Sequence, residues 1–167
     1  DEQRLYCLDE DHVSVLSVPG GAEVQRIAVS QAGTSLAVSP DGATLVVSHR
    51  PTAQQLATVP SVRNDKKALK SALKFREMLS AYRTADGSLV GSVPEIYDRI
   101  HKVAFHPNGQ VLLVYATSDP RMTGAVGAAM RGVVNLVEMP ARTPLRTGFL
   151  SLMTDAHLEP NTAADRI

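Results

Sequence analysis

The sequence predicts an all-β fold built from short antiparallel strands. The first observation is a repeated hairpin, since SLAVSPDGATLVV at residues 35–47 returns in a related form, KVAFHPNGQVLLV, at residues 102–114. The second is that the segments upstream of each hairpin alternate apolar and polar residues, which is the period of a half-buried strand. The chain of 167 residues is long enough for one ordinary domain with its own core.

The turns of the two hairpins have the same four-residue pattern, Ser-Pro-Asp-Gly at 39–42 and His-Pro-Asn-Gly at 106–109. Proline at the second position has φ preset near about −65°, Asp or Asn at the third can bond its own backbone, and glycine at the fourth accepts positive φ. The flanking runs are continuously apolar, which is typical of strands buried on both faces. We therefore expect each hairpin to lie in a sheet between two other layers. The predicted strands are 12–18, 24–29, 35–39, 44–48, 102–106 and 110–115.

Grouping these segments gives two repeated units and part of a third. Each complete unit combines two alternating strands with the hairpin that follows them. The intervening segment after the first hairpin has no counterpart in the second copy, and the segment after the second hairpin is rich in Gly and Ala. The predicted divisions are a first unit at 1–49, an insertion at 50–74, a second unit at 75–115, a loop at 116–132 and a partial third unit at 133–167.

The order of strands and turns in these units resembles the blade repeat of β-propellers, in particular the YVTN-type and WD-repeat-like repeats. The resemblance is carried by VSVLSV, a Gly-Gly turn, LAVSPDG and LVVS within residues 13–48, and a degraded third turn, Glu-Pro-Asn-Thr, follows at 159–162. It implies antiparallel four-stranded blades of a β-propeller, about two blades plus remnants. In such families the fold supplies a rigid disc that binds partners, and only some members are enzymes.

The number of predicted blades implies that the chain has partners. Propellers close from about four to eight blades, because closure protects the edges and faces of the sheets. Two blades and a remnant cannot close a propeller alone. The resemblance therefore implies that the remaining surface is covered by missing blades of a longer parent chain or by other protein subunits.

The segment RNDKKALKSALKFR at residues 63–76 is the strongest charge cluster. Lysines recur at i, i+4, and Leu69, Ala72 and Leu73 form a short apolar stripe, so a short helical insertion is predicted there. One interpretation is a docking surface for an acidic partner, RNA or anionic lipid, and the other is a solvated, loosely held loop between units. Nucleic acid is disfavoured because lysines without interleaved aromatic residues offer no base-stacking platform. The candidate partner-binding residues of both insertions are Lys66, Lys67, Lys70, Lys74, Arg76, Arg121 and Arg131.

The sequence predicts no catalytic, cofactor-binding or metal-binding residue. His101 and His106 lie five residues apart across a predicted strand, and this odd separation places them on opposite faces. His106 is interpreted as a turn residue. Cys7 lies in the apolar stretch LYCL and is predicted to be a buried, inert thiol. The histidines without acidic or cysteine partners at ligand-like spacing, predicted to be structural or on the surface, are His12, His49 and His157.

Charge and composition limit the classes of partner and location. Lys plus Arg and Asp plus Glu number 17 each, so no overall field steers the chain to nucleic acid or an anionic membrane. No apolar stretch reaches the roughly 18–20 residues of a transmembrane segment. A single cysteine excludes an internal disulfide. It slightly favours an intracellular location, while a periplasmic or secreted one stays open.

Two functions are compatible with these features. The favoured one is a non-enzymatic interaction platform, or structural subunit of a larger assembly, that contacts its neighbours through the inserted segments. The alternative is a propeller-type enzyme or cofactor binder of the lactonase or quinoprotein sort, with its site at the central channel. Protein contacts at residues 50–76 or 116–132 would favour the platform, and a metal or cofactor at the channel would favour the enzyme.

Overall fold

The computed structural model describes residues 3–29, 33–117 and 131–151 of the chain. Within these residues the fold is mostly antiparallel β, with eleven strands in three sheets and two helices. The strands are β1 (Arg4–Leu8), β2 (His12–Ser17), β3 (Glu23–Ala28), β4 (Gly33–Val38), β5 (Thr44–His49), β6 (Met78–Arg83), β7 (Leu89–Ser92), β8 (Arg99–Phe105), β9 (Val111–Thr117), β10 (Arg131–Glu138) and β11 (Thr143–Ser151). The helices, α1 (Ala53–Leu56) and α2 (Lys66–Phe75), both lie between β5 and β6.

Each sheet is a simple meander in which strands adjacent in sequence are hydrogen-bonded neighbours. The first sheet has the order β1-β2-β3, the second β4-β5-β6-β7 and the third β8-β9-β10-β11, and every pairing is antiparallel. The six predicted strands are confirmed, with ends shifted by a few residues. The prediction of an antiparallel β fold is therefore confirmed.

The predicted turn chemistry is confirmed in both hairpins. Gly42 and Gly109 each have φ of 72°. The Gly42 N–H donates to the Ser39 carbonyl at 2.8 Å, and the Gly109 N–H donates to the His106 carbonyl at 2.9 Å. His106 is thus a turn residue, as the sequence indicated.

The positive φ of Gly42 predicts a sensitive position. Gly42→Val is expected to lower the free energy of unfolding by about 1–2 kcal/mol, because a β-branched residue is strained in the left-handed region. Chemical unfolding followed by circular dichroism measures the loss. Ala43→Val is the control, since it adds the same side chain to the next, exposed residue, which has no positive φ. Equal stability of the Gly42 variant and the wild-type protein would contradict the turn assignment.

The sheets group the strands differently from the units inferred from sequence. The hairpin β4-β5 joins β6 and β7 in one sheet, whereas the upstream strands β2 and β3 lie in a separate sheet with β1. The predicted first unit, 1–49, is therefore divided between two sheets. The insertion connects β5 and β6, two neighbouring strands of the second sheet. The reason is a non-local pairing, because β5 and β6 stay in register from Thr44↔Arg83 to His49↔Met78 across the inserted residues. Local patterning identifies strands but does not fix which of them pair.

The second sheet is packed between the other two. Leu45 and Val47 of β5 belong to a core shared with Val13 and Ile27 of the first sheet. Val46, which points to the opposite face, belongs to a core shared with Leu112 and other residues of the third sheet. The alternation along β5 thus supplies apolar side chains to both interfaces.

Burial on both faces was predicted for both strands of each hairpin, and the structure confirms it for one strand of each. β5 and β9 are almost continuously buried. The prediction is wrong for β4, which is half-buried, and for β8, which alternates between exposed and buried residues. The physical reason is position, because β4 and β8 are the edge strands of their sheets.

The insertion between β5 and β6 is a folded segment with its own apolar cluster. Its buried apolar residues form a cluster that includes Met78 of β6: Leu56, Val59, Val62, Ala72 and Met78. The predicted helix within 63–76 is confirmed as α2. Its apolar side is packed rather than loosely held, and its lysines are exposed to solvent, as the alternative to docking also expected. Residues 118–130 of the second predicted loop and the predicted turn at 159–162 lie outside the described residues.

Candidate functional site

Both ends of α2 are fixed by side chains of the insertion. The helix begins after Asp65, whose carboxylate accepts hydrogen bonds from the backbone N–H groups of Lys67 at 2.8 Å and Ala68 at 3.0 Å. This arrangement satisfies two of the N–H groups that a helix N-terminus leaves free. At the other end, the Arg50 guanidinium donates to the carbonyl of Lys74. The Asp65 contacts fix the first turn of the helix, and the Arg50 contact joins its last turn to the residue that follows β5.

The amphipathic pattern of α2 separates an apolar from a basic side. Ala72 is buried, and Ala68 and Leu69 pack against the same apolar cluster. The opposite side carries four exposed lysines that we call the basic face: Lys66, Lys67, Lys70 and Lys74. At 1.5 Å of rise per residue the basic face extends over about 12 Å. No ammonium group of the basic face has a carboxylate partner among the residues that the structure describes.

Two apolar side chains border the basic face. Leu73 is 37% exposed and Phe75 is 55% exposed. The Lys74 ammonium lies 5.1 Å from the centroid of the Phe75 ring, a distance typical of a cation–π contact. Of the predicted apolar stripe, Ala72 is buried and Leu69 packs against the same cluster, whereas Leu73 is exposed. The contribution of Phe75 was missed, although its place at the end of an amphipathic helix was visible in the sequence.

The remaining predicted partner-binding residues are not part of the basic face. Arg76 forms an ion pair with Asp98 at 2.7 Å, and the two side chains are 20% and 22% exposed. This contact holds Arg76 against the connection that precedes β8. Arg121 lies outside the described residues, and Arg131 begins β10 with its side chain outside the described part of the structure.

A buried polar network lies beneath the insertion. The His49 side chain is fully buried, with Nδ1 2.7 Å from the carbonyl oxygen of Arg50 and Nε2 2.6 Å from Ser80 Oγ. Because a carbonyl only accepts, Nδ1 carries the proton and Nε2 accepts from the Ser80 hydroxyl. Gln55 Nε2 donates to both Ser80 Oγ and Ser92 Oγ, at 3.3 and 3.1 Å. Burial lowers the pKa of His49, which favours the neutral imidazole.

The distance between Ser80 Oγ and His49 Nε2 is one that a catalytic nucleophile and its base would also have. The burial of both side chains favours a structural role instead. Both side chains are fully buried, so no substrate reaches the hydroxyl. The network instead links the ends of β5 and β7 to α1. Of the two roles predicted for His49, structural or on the surface, its burial and its hydrogen bonds fit the structural one. Cys7, which was predicted to be buried, is half-buried and free.

Neither a metal centre nor a membrane span was found in the described parts of the chain. Within residues 3–29, 33–117 and 131–151, no three His, Cys, Asp or Glu residues lie together as metal ligands would. None of the helices in these ranges has the length and apolar character to cross a bilayer.

The chain was compared with protein families, curated proteins and solved structures. No family model and no curated protein matches it. Among solved structures it is similar to hydrazine synthase from Kuenenia stuttgartiensis, with a TM-score of 0.60 and 14% sequence identity over 88% of this chain. The chain spans 32% of the length of that hydrazine synthase chain. At this identity the likeness concerns the fold alone, which is a series of antiparallel sheets.

Proposed function

We propose that the three sheets are consecutive blades of a β-propeller and that the protein is a non-enzymatic interaction platform. In this proposal the helical insertion docks on an acidic surface of a partner protein. The meander order of every sheet, the face-to-face packing on both sides of the second sheet and the repeated turns at Gly42 and Gly109 support the propeller.

The docking proposal rests on one observation: the basic face belongs to a helix that is packed against the rest of the structure. The buried cluster, the Asp65 cap and the contact with Arg50 anchor α2, so binding requires little further ordering of the backbone. The lysines supply attraction for carboxylates, and exposed Phe75 supplies the apolar contact that the centre of an interface requires.

An acidic protein fits this surface better than a nucleic acid does. Single-stranded nucleic acids are bound through a series of aromatic side chains on which successive bases stack. The basic face is bordered by one aromatic ring, Phe75, and that ring is already in contact with Lys74.

Neutralising the basic face is expected to weaken the binding of an acidic peptide at least about tenfold. The variant replaces Lys66, Lys67, Lys70 and Lys74 with Gln, and the probe is a fluorescein-labelled helical peptide with glutamates at i, i+4 spacing and interspersed leucines. A tenfold loss corresponds to about 1.4 kcal/mol, which four exposed charges can supply. Fluorescence anisotropy measures the affinity, and its salt dependence is expected to flatten in the variant because exposed charges are screened.

The matched control removes four cations from other exposed positions. It carries Gln in place of Arg4, Arg26, Arg83 and Lys102 and is expected to bind the peptide like the wild-type protein. Phe75→Ala is expected to lower the affinity without changing its salt dependence. Equal losses in the two charge variants would overturn the proposal. Tighter binding of a single-stranded RNA of equal charge would replace it with a nucleic-acid interface.

A further inference from the structure

A groove of about 640 Å³ lies beside the insertion, away from the basic face. One wall is formed by the start of the insertion, including Thr52 and Gln55, and the floor by β7 and Pro94. The end of the turn between β10 and β11 and the start of β11, residues 141–144, form the opposite wall. This volume is in the range of sites for small molecules.

The lining of the groove combines apolar surface with hydroxyl and amide groups and contains one charge. Arg142 is the only charged residue among the residues that line it, and none of these residues is acidic. Hydroxyl groups and amides of the lining surround an apolar strip formed by Leu89, Pro94 and Pro144. A groove with this composition favours a ligand that has a negative group and an apolar part.

The conformation of Arg142 is unusual in two respects. Its φ is 60°, a left-handed conformation that costs a residue other than glycine about 1 kcal/mol or more. Its Nε is buried and has no hydrogen-bond partner, and its Nη1 makes one long contact of 3.4 Å with the Pro140 carbonyl. A buried donor without an acceptor is destabilising, and the described residues leave the hydrogen-bonding capacity of the Arg142 side chain, which lines the groove, largely unused.

Gly91 in β7 provides the space that the guanidinium occupies. A Cβ at this position would lie 3.1 Å from Cζ and Nη2 of Arg142, and the Gly91 φ of 150° also disfavours a side chain. The guanidinium therefore lies directly on the backbone of β7. Both Gly91 and Arg142 have positive φ, which most residues avoid. Together these two residues place one guanidinium group at the groove.

We propose that the groove binds a small organic anion whose carboxylate or phosphate oxygens accept hydrogen bonds from the Arg142 guanidinium. The planar fork of an arginine matches both groups, and charge-assisted hydrogen bonds to them are about twice as strong as neutral ones. The apolar part of the anion packs against Leu89 and Pro144. This site is separate from the basic face and does not depend on the function proposed for it.

Titration calorimetry with benzoate, phenyl phosphate and inorganic phosphate, at ionic strength held constant with chloride, tests the site. At least one aromatic anion is expected to bind the wild-type protein, and Arg142→Gln is expected to weaken that binding at least about tenfold. Arg142→Gly is the decisive variant, because glycine adopts positive φ without strain. It is expected to fold at least as stably as the wild-type protein and to lose the binding.

Two further variants separate this site from other cations of the protein. Arg83→Gln removes an exposed arginine elsewhere, and the variant with glutamines in the basic face removes the proposed docking surface; both are expected to bind the anion normally. Whichever of benzoate and phenyl phosphate binds with the higher affinity identifies the acid group that the site prefers. Binding unchanged in Arg142→Gly, or no binding of either aromatic anion, would overturn the proposal. Equal affinities for inorganic phosphate and phenyl phosphate would overturn the role of the apolar strip.

Discussion

Glu77→Ala is expected to lower the free energy of unfolding by about 2–3 kcal/mol, the cost of leaving a buried donor without its charged acceptor. Glu77 precedes β6 and is 7% exposed. Its Oε2 accepts from the Ile100 N–H at 2.6 Å, and its backbone exchanges hydrogen bonds of 2.9 and 2.8 Å with Tyr97. The alanine variant retains the backbone contacts but leaves the Ile100 N–H unpaired between the second and third sheets.

Urea unfolding followed by circular dichroism measures this loss. Glu77→Gln keeps an acceptor oxygen at nearly the same position and is expected to recover much of the stability. Glu23→Ala removes an exposed carboxylate of β3 that pairs with Arg26 and is expected to cost less than about 1 kcal/mol. Similar losses for Glu77→Ala and Glu23→Ala would show that the buried carboxylate does not hold the two sheets together.

His49→Ala is expected to be at least as destabilising, at about 3 kcal/mol, because it combines a cavity with two lost hydrogen bonds. The buried Ser80 hydroxyl would lose its acceptor, and the Arg50 carbonyl would lose its donor. Urea unfolding at neutral pH measures the loss. His106→Ala, at a half-buried turn residue outside the network, is the control and is expected to cost much less. A loss no greater than that of the control would contradict the structural role of His49.

His49 also predicts how stability depends on pH. In the unfolded chain its pKa is the ordinary value of 6.5, and burial lowers it in the folded protein. As the pH falls below about 6.5, the unfolded state takes up the proton first, so stability is present above this pH and decreases below it. His49→Gln is expected to flatten the change in urea midpoint between about pH 7.5 and 5.5. An unchanged slope in this variant would assign the effect to other groups.

The local part of the fold was predictable from sequence. The turns at 39–42 and 106–109 are specified by proline, Asp or Asn, and glycine at fixed positions, and the glycines have the positive φ that this pattern requires. The helix within 63–76 followed from the i, i+4 spacing of its lysines. These features depend on interactions between residues close in sequence, which explains why one sequence was sufficient.

The sheet membership and the groove depend on contacts that are distant in sequence. The pairing of β5 with β6 crosses the whole insertion, and the groove combines residues 52–58, 89–94 and 141–144. Nothing in the local pattern around His49 indicates that Ser80 will be its partner. The role proposed for Arg142 was not predictable from sequence either. It depends on the positive φ of Arg142 and on the proximity of Gly91, which lies in another sheet.

The pairing of His49 with Met78 means that the insertion leaves and rejoins the sheet at directly opposed residues. Opposed residues of antiparallel strands have Cα atoms only about 4.5–5.5 Å apart, the distance that a two-residue turn also spans. Doubling the length of a flexible connection adds only about 0.6 kcal/mol of closure cost. The segment between these two residues can therefore vary in length while the register of β5 and β6 is preserved.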